Sequence, residues 1–506
     1  MNAGVVTPDA RATEAAALVL KLGGTAADAA ITASAVLGVV QPHTCGLGGD
    51  VVAVVNSMSG SSVLLGIGNS GSNAHGETLR NQGFRDIPRT HPAAVTIPGA
   101  LDGWLKLHAR HGRLPFEQLL GRAIELAESG FLVNAELESE LNKTPWNPET
   151  GPPRGVKSAS NARVNKSASW KRPHLARLLQ RVASEGRSAL YSGEVANDIL
   201  GATDGLVTRD DLAADQASLA MPLTISGRDL TLLIPGQPTQ GAVLGQTFSL
   251  MEELDGWRAS SLGEAIHLLI ESYRVVVEDA VSLSLASDTD STTTTAARVN
   301  RHQASYRRPL VGILGGTAFL AAADSEGCLV AMSQSNYDRL GSGRVARSAG
   351  LPLNNRGTGF SLESGHVNEL RPNARPFHTL IPTIVRHSDG AVSAMGTRGG
   401  LLQPQILLQL LLWSLRSGTH PAAQLSQPRL NVRPEVATSL VFAESSLPRG
   451  IAEELTLRGH RVVLRSGLEP SWGPAFVLTV GADGRVDAGV DPRSEGKAWT
   501  SDDELG

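Results

Sequence analysis

The run Gly315-Gly-Thr-Ala-Phe-Leu-Ala-Ala-Ala-Asp-Ser-Glu-Gly-Cys-Leu-Val-Ala-Met332 decides how the rest of the chain is read. Thr317 opens a seven-residue apolar stretch, Asp324-Ser-Glu-Gly327 supplies a turn, and a second apolar stretch runs from Cys328 to Met332. Two apolar runs around such a turn predict a β-hairpin with a buried strand. Taken alone, Thr317 is a β-branched residue at the start of that strand.

Its company gives it a second meaning. Downstream stand Gln334-Ser-Asn-Tyr337, Gly341-Ser-Gly343, Leu353-Asn-Asn-Arg-Gly357, Arg375-Pro-Phe-His-Thr379, Gly396-Thr-Arg-Gly-Gly400 and Gln403-Pro-Gln405. Upstream lie Gly23-Gly-Thr-Ala-Ala-Asp-Ala-Ala30 and Gln41-Pro-His-Thr-Cys-Gly-Leu-Gly-Gly-Asp50. In this order and spacing the set resembles the γ-glutamyltranspeptidase family of N-terminal-nucleophile (Ntn) hydrolases, from about Val6 to Lys497. The combination Gly46-Leu-Gly-Gly-Asp50, Asn355-Arg-Gly357, His378-Thr379 and Gln403-Pro-Gln405 looks most like a bacterial branch that includes oxamate amidohydrolase and γ-glutamyltransferase-like proteins.

Composition narrows the alternatives. In 506 residues, 41% are apolar and 19% charged, enough to bury a sizeable core, and the net charge of −4 offers no basic field for nucleic acid. The two cysteines, Cys45 and Cys328, sit in no metal-ligand pattern and fit a reducing compartment. The first residues lack the basic and apolar regions of a signal peptide, and the longest apolar run, Ile406 to Leu415, is too short to span a membrane. The expectation is a cytoplasmic protein with no nucleic-acid or membrane partner.

Along the chain, Thr7-Pro-Asp predicts a helix to about Leu22, and Thr25 with Asp28 predicts a capped helix ending before Pro42. Strands are expected at Val51–Val55, Val63–Ile67, Leu223–Ser226 and Leu230–Ile234, and helices at 100–111, 115–130, 173–184, 241–254, 262–282, 403–416 and 449–458. Residues 144–172 read as an exposed insertion, and the Ser/Thr/Asp-rich start of 284–316 reads as mobile and solvated. Hairpins are expected at 317–333, Thr383–Met395 and Phe476–Val490. Hairpins interleaved with long helices predict an α+β, sheet-on-sheet core covered by helices. The resemblance sharpens this into the four-layer αββα sandwich of Ntn hydrolases with helical insertions. Segments 1–316 and 317–506 would form it together.

A threonine hydroxyl needs an adjacent base, and a chain-terminal threonine carries one in its own α-amine, with a pKa of about 7.7–8.0. That requires cleavage between Gly316 and Thr317, and the paired glycines can adopt the strained backbone such an attack needs. Ala318 and Phe319 stand where the family usually has a second threonine and then a histidine or aromatic residue, so the departure lies at Ala318. The resemblance implies an oxyanion hole at Gly399-Gly400, a hydroxyl at Ser335 that bonds the nucleophile's amine, and substrate contact at Tyr337 beside Asn336. Near Ser70 and Ser72 it places an arginine that this chain lacks, although Arg80, Arg85 or Arg89 could reach in from another loop. Gly359 stands where the family has an acid, and His378-Thr379 where it has a serine pair, so Arg356, His378, Thr379 and Ser70 become the candidate substrate contacts.

The expectation is a self-processing threonine amidase or acyltransferase acting on a small amide through an acyl-enzyme, with no metal or organic cofactor implied. The two product chains would stay associated, and a homodimer is left open. Two rivals are a true γ-glutamyl hydrolase or transpeptidase, and an uncut family member kept as a binding or scaffold protein.

Overall fold

The computed structural model describes residues 2–143, 169–282, 298–304, 315–432 and 439–504. Most of the expected insertion at 144–172 and of the solvated segment at 284–316 lies outside the described residues. Two antiparallel sheets form the centre. The first runs in the order Lys497–Thr500, Gly4–Thr7, Gly316–Ala323, Leu329–Tyr337, Asp50–Ser57, Gly60–Gly66, Ala217–Ala220. The second runs Val486–Val490, Ala475–Val480, Val392–Thr397, Thr383–His387, Leu230–Ile234, Leu223–Ser226.

Alternation along the strands builds the layers. In Gly316–Ala323, Ala318, Leu320 and Ala322 face a helical layer, while Phe319, Ala321 and Ala323 face the second sheet. Leu233, Ile384, Ala394, Phe476 and Leu478 of the second sheet meet them in the shared interior. Its other face, with Leu232, Val385, Met395 and Val477, packs on helices Gly241–Glu253, Leu262–Ser282 and Gln403–Ser417. The result is helix, sheet, sheet, helix. Because the central strands are buried on both faces, they read as unbroken apolar runs, not as an alternating pattern.

The first helical layer comes from small side chains. Helix Ala26–Val40 is buried along its whole length and opens on the expected capping box, in which the Thr25 hydroxyl accepts from the Asp28 amide and the Asp28 carboxylate accepts from the Thr25 amide. Its alanines let it lie close on the Thr317 strand. Ala318, on that side, is buried. Phe319 fills the space between the sheets, where a Cβ on Gly396 would run into its ring. Ala318 and Phe319 thus pack on opposite faces of the sheet.

Four elements differ from expectation. The first helix begins at Ala10, because Gly4–Thr7 is a strand that pairs Gly4 with Ala323 and Val6 with Ala321. Lys497–Thr500 pairs outside it, Ala217–Ala220 closes the far edge, and a three-stranded sheet, Leu430–Val432, Leu440–Glu444 and Arg461–Arg465, stands apart. These are short segments whose burial comes from neighbours distant in sequence. Both cysteines are free, Cys45 buried and Cys328 partly so.

Both sheets draw strands from either side of Gly316, and in the first sheet they interleave. Gly4–Thr7 and Asp50–Ser57 flank the hairpin that begins at Thr317, so a cut at that point would leave two interleaved chains. Truncating Phe319 to alanine removes the largest side chain between the sheets at the nucleophile strand. It should lower unfolding free energy by about 3–5 kcal/mol, read from the shift of the denaturant midpoint.

Candidate active site

Thr317 is buried, and its hydroxyl has no hydrogen-bond partner. The hairpin around it is irregular. Ala318 pairs with Gln334 and Gly316 with Tyr337, so two residues, Ser335 and Asn336, stand opposite Thr317 alone. This is a β-bulge, which bends a strand and re-aims its side chains. Here it turns the Ser335 hydroxyl onto the Gly316 carbonyl, to which it donates at 2.5 Å, while accepting from the Tyr337 amide at 2.8 Å. Tyr337 sits at φ 78, in the left-handed region that a bulky residue adopts only when its surroundings hold it there. Ser335 therefore holds the carbonyl of the residue before Thr317.

The walls are built from loops. The Gly46–Gly49 turn runs beneath the bulge, the Asn336 amide donates to the Thr44 carbonyl at 3.0 Å, and the Asn336 side chain donates to the Pro42 carbonyl at 3.1 Å. On the other side Gly399 (φ 124) and Gly400 (φ 58) form a turn that only glycine enters without strain, ahead of helix Gln403–Ser417. Gly315 lies against this turn, with its Cβ direction 3.6 Å from the Gly400 Cα. The chain before Thr317 thus occupies the space in front of the candidate oxyanion hole. Gln240 fixes the turn from behind, donating to the Gly400 carbonyl at 2.8 Å and the Thr379 carbonyl at 2.7 Å.

Next to Tyr337 lies a buried ionic cluster. The Arg356 guanidinium stacks on the Tyr337 ring at 3.9 Å, reaches the Thr379 hydroxyl at 3.4 Å, and lies 3.8 Å from Asp50. Its Nε and Nη2 groups have no hydrogen-bond partner although the residue is fully buried. His378 accepts at Nδ1 from the Leu380 amide, which leaves the proton on Nε2 to be donated to Asp50 at 3.1 Å. Burial, with Arg356 nearby, pushes the His378 pKa down to about 4 against the pull of Asp50, so the ring is neutral at physiological pH. Burial also lowers Arg356, to about 10, which leaves it charged. The cluster holds one cation and one anion, and the cation keeps unused donors.

Of the predicted residues, Thr317, Ser335, Asn336, Tyr337, Arg356, His378 and Thr379 form one connected group around the hairpin, and Gly399-Gly400 joins it through Gly315 and Gln240. Ser70 is engaged elsewhere: its hydroxyl donates to the Arg371 carbonyl at 2.5 Å and accepts from the Ala374 amide at 3.0 Å, so it organises the loop before His378. Arg80 is tied to Glu369 at 2.8 Å, Arg85 is exposed, and Arg89 donates to the Gly341 carbonyl at 2.7 Å. Asp50, though part of the Gly46–Asp50 motif, is not among the predicted site residues, and neither is Gln240. Asp50 left a signal, a charge at the head of the apolar strand that follows it; Gln240 left none. Among the described residues no group of histidine, cysteine and acidic side chains could hold a metal ion, and no helix is long and apolar enough to cross a membrane.

Known proteins share this arrangement along nearly the whole chain. A family profile described as Gamma-glutamyltranspeptidase matches residues 12–501. The glutathione hydrolase-like YwrD proenzyme of Bacillus subtilis is 30% identical, over 98% of this chain and 97% of its own length. The oxamate amidohydrolase proenzyme of Klebsiella pneumoniae is also 30% identical, over 97% of each. The crystal structure of cephalosporin acylase from Bacillus halodurans superposes with a TM-score of 0.88 at 28% identity, covering 98% of this chain and 95% of that one. The chain therefore belongs to the gamma-glutamyltranspeptidase family, as an amide hydrolase or acyltransferase of the Ntn-hydrolase fold, a family whose enzymes are processed into large and small chains.

Proposed function

We propose that Thr317 is the nucleophile both of self-cleavage and of turnover, and that the substrate is a small amide bearing a carboxylate. The observation that carries the first part is a buried, unpartnered Thr317 hydroxyl beside a carbonyl already held by Ser335. In self-cleavage the Thr317 hydroxyl adds to the Gly316 carbonyl carbon and gives up its proton. The oxyanion forms on the oxygen that already accepts from Ser335, so that donor needs no reorganisation. The C–N bond then breaks, a proton passes to nitrogen to form the Thr317 amine, and water hydrolyses the ester to a Gly316 carboxylate. Gly315 and Gly316 can then leave the Gly399–Gly400 turn.

In turnover the free amine takes the hydroxyl proton and Thr317 attacks the substrate carbonyl. The amides of Gly399 and Gly400 hold the oxyanion, and the leaving amine departs with the proton. The acyl-enzyme passes to water or to an amine acceptor. Asn336 and Tyr337 form the wall, and Thr379 with neutral His378 frames Arg356.

Arg356 supports the anionic substrate. Its Nε and Nη2 have no hydrogen-bond partner, Nε standing 3.8 Å from Asp50, and make a fork suited to a carboxylate, in a place where an ammonium would meet no acid at Gly359. The oxamate-hydrolysing relative acts on such an anion. The glutathione hydrolase-like relative supports a second reading, γ-glutamyl transfer. The two unpaired thiols support a cytoplasmic location.

Ammonia release from oxamate, beside release of nitroaniline from a γ-glutamyl anilide, separates the two substrates. Oxamate turnover with little anilide turnover is expected, and the reverse selects the second reading. Arg356→Lys, which keeps the charge but loses the fork, should raise KM for the anionic amide by about 10–100-fold, since two directed hydrogen bonds are at stake. KM for an uncharged amide should change far less.

The buried neutral ring also sets a pH dependence. The folded pKa of His378 lies below its ordinary 6.5, at about 4, so the unfolded chain binds this proton first on acidification. The stability gained by keeping the ring neutral is complete above 6.5 and is lost as pH falls toward 4. His378→Asn should flatten the fall of unfolding free energy in that window by up to one proton's slope, measured by denaturant titrations at several pH values.

A further inference from the structure

Beyond the residues assigned so far, both sides of the Gly316–Thr317 bond are bridged by one helix. Helix Ala135–Lys143 starts at Asn134, whose side chain accepts from the Leu137 amide at 2.9 Å, and is anchored by buried Leu137 and Leu141. Glu136 and Glu140, one turn apart, share a face. The Glu136 carboxylate accepts from Arg398 Nη1 at 2.5 Å, and Arg398 immediately precedes the Gly399–Gly400 turn. The same oxygen lies 3.8 Å from His43 Nε2. His43 is buried, both ring nitrogens lack a hydrogen-bond partner, and its backbone carbonyl lies 3.2 Å from the Cβ direction of Gly316. Glu140 lies 3.9 Å from Arg339, whose backbone amide is the other near neighbour of Gly316, at 3.5 Å from that direction.

We propose that Glu136 is a positioning residue, a clamp whose carboxylate sets the Gly399–Gly400 turn against the His43 loop and so fixes the oxyanion donors relative to Thr317. The inference rests on the role proposed for that turn. Three cationic or ionisable side chains converge on the mouth from three loops, His43, Arg339 and Arg398, and the acidic face of one helix meets all three. The Glu136 side chain is 46% exposed; partial desolvation disfavours its charge, yet His43 and Arg398 outweigh that and hold its pKa well below the usual carboxylate range, so the clamp stays ionised through the working pH range. Arg398 has one other partner here, the Pro470 carbonyl at 3.5 Å, which is weaker. Without Glu136 the turn keeps Gln240 behind it but loses its tether in front.

Two readouts decide it. The first is hydrogen exchange in the uncut Thr317→Ala background, with and without Glu136→Gln. Peptides covering Arg398 to Leu402 and Gln41 to Gly46 should exchange at least about tenfold faster in the Gln variant, with Tm unchanged. Unchanged exchange there, or faster exchange throughout with a fallen Tm, overturns the clamp whether or not the protein turns over any amide. The second uses cleaved protein and a small amide. Glu136→Gln should lower kcat by about tenfold or more, because a displacement on the order of 1 Å is costly in an active site. KM should move by less than about threefold, and Glu136→Asp should recover part of kcat. An unchanged kcat, or a change confined to KM, contradicts it, whereas a wild-type protein inert toward every amide speaks against the proposed function and leaves the exchange result to judge the clamp.

Discussion

One extra residue in one strand shapes the whole site. Opposite Thr317 the hairpin spends two residues, Ser335 and Asn336, where one would keep the ladder regular. That irregularity aims the Ser335 hydroxyl at the Gly316 carbonyl, carries the Asn336 amide to Thr44, and forces Tyr337 into a left-handed conformation. A regular hairpin would pair every backbone group and leave none of these side chains on the scissile bond. The bulge persists because neighbours over-determine it: the Gly46–Gly49 turn below, the Asn354–Asn355 segment beside it, and the guanidinium of Arg356 on the Tyr337 ring. Strain at a functional position is held by rigid packing elsewhere.

A second constraint is charge in an apolar interior. Asp50 heads a strand whose next residues are all buried valines and alanine, and its carboxylate must be satisfied there. The Gly68 amide at 3.2 Å, His378 at 3.1 Å and Arg356 at 3.8 Å share that duty. Removing any one leaves a buried charge or donor uncompensated, which costs far more than the net worth of the contact. The cluster thereby links the strand from the first segment to the loops of the second. Since each sheet holds strands of both segments, cutting the chain before Thr317 changes which ends are free without dividing the core.

Much of this was legible in the sequence because it is local. The hairpins at Thr317, Thr383 and Phe476, the capping box at Thr25 and Asp28, and the helices with clear periodicity follow from runs of fewer than about twenty residues. Thr317 as a candidate nucleophile and the glycine turn beside it came from a family pattern, not from propensity. The short strands Gly4–Thr7, Lys497–Thr500 and Ala217–Ala220 were not, since a four-residue segment becomes a strand only through partners about 150 or more residues away. The same holds for Gln240, whose two carbonyl partners come from separate loops, and for Ser70, whose hydroxyl is used by Arg371 and Ala374. Side-chain direction, the quantity that decides a site, is tertiary information.

The central claim is that the uncut hairpin is poised to break the bond it begins with. Its most direct test is the intact mass of the purified protein under denaturing conditions, beside that of a Thr317→Ala variant. Two fragments corresponding to 1–316 and 317–506 in the wild type, with a single full-length mass in the variant, are the predicted result. A wild-type chain that remains whole on prolonged incubation, or a variant cut at the same bond, would contradict it.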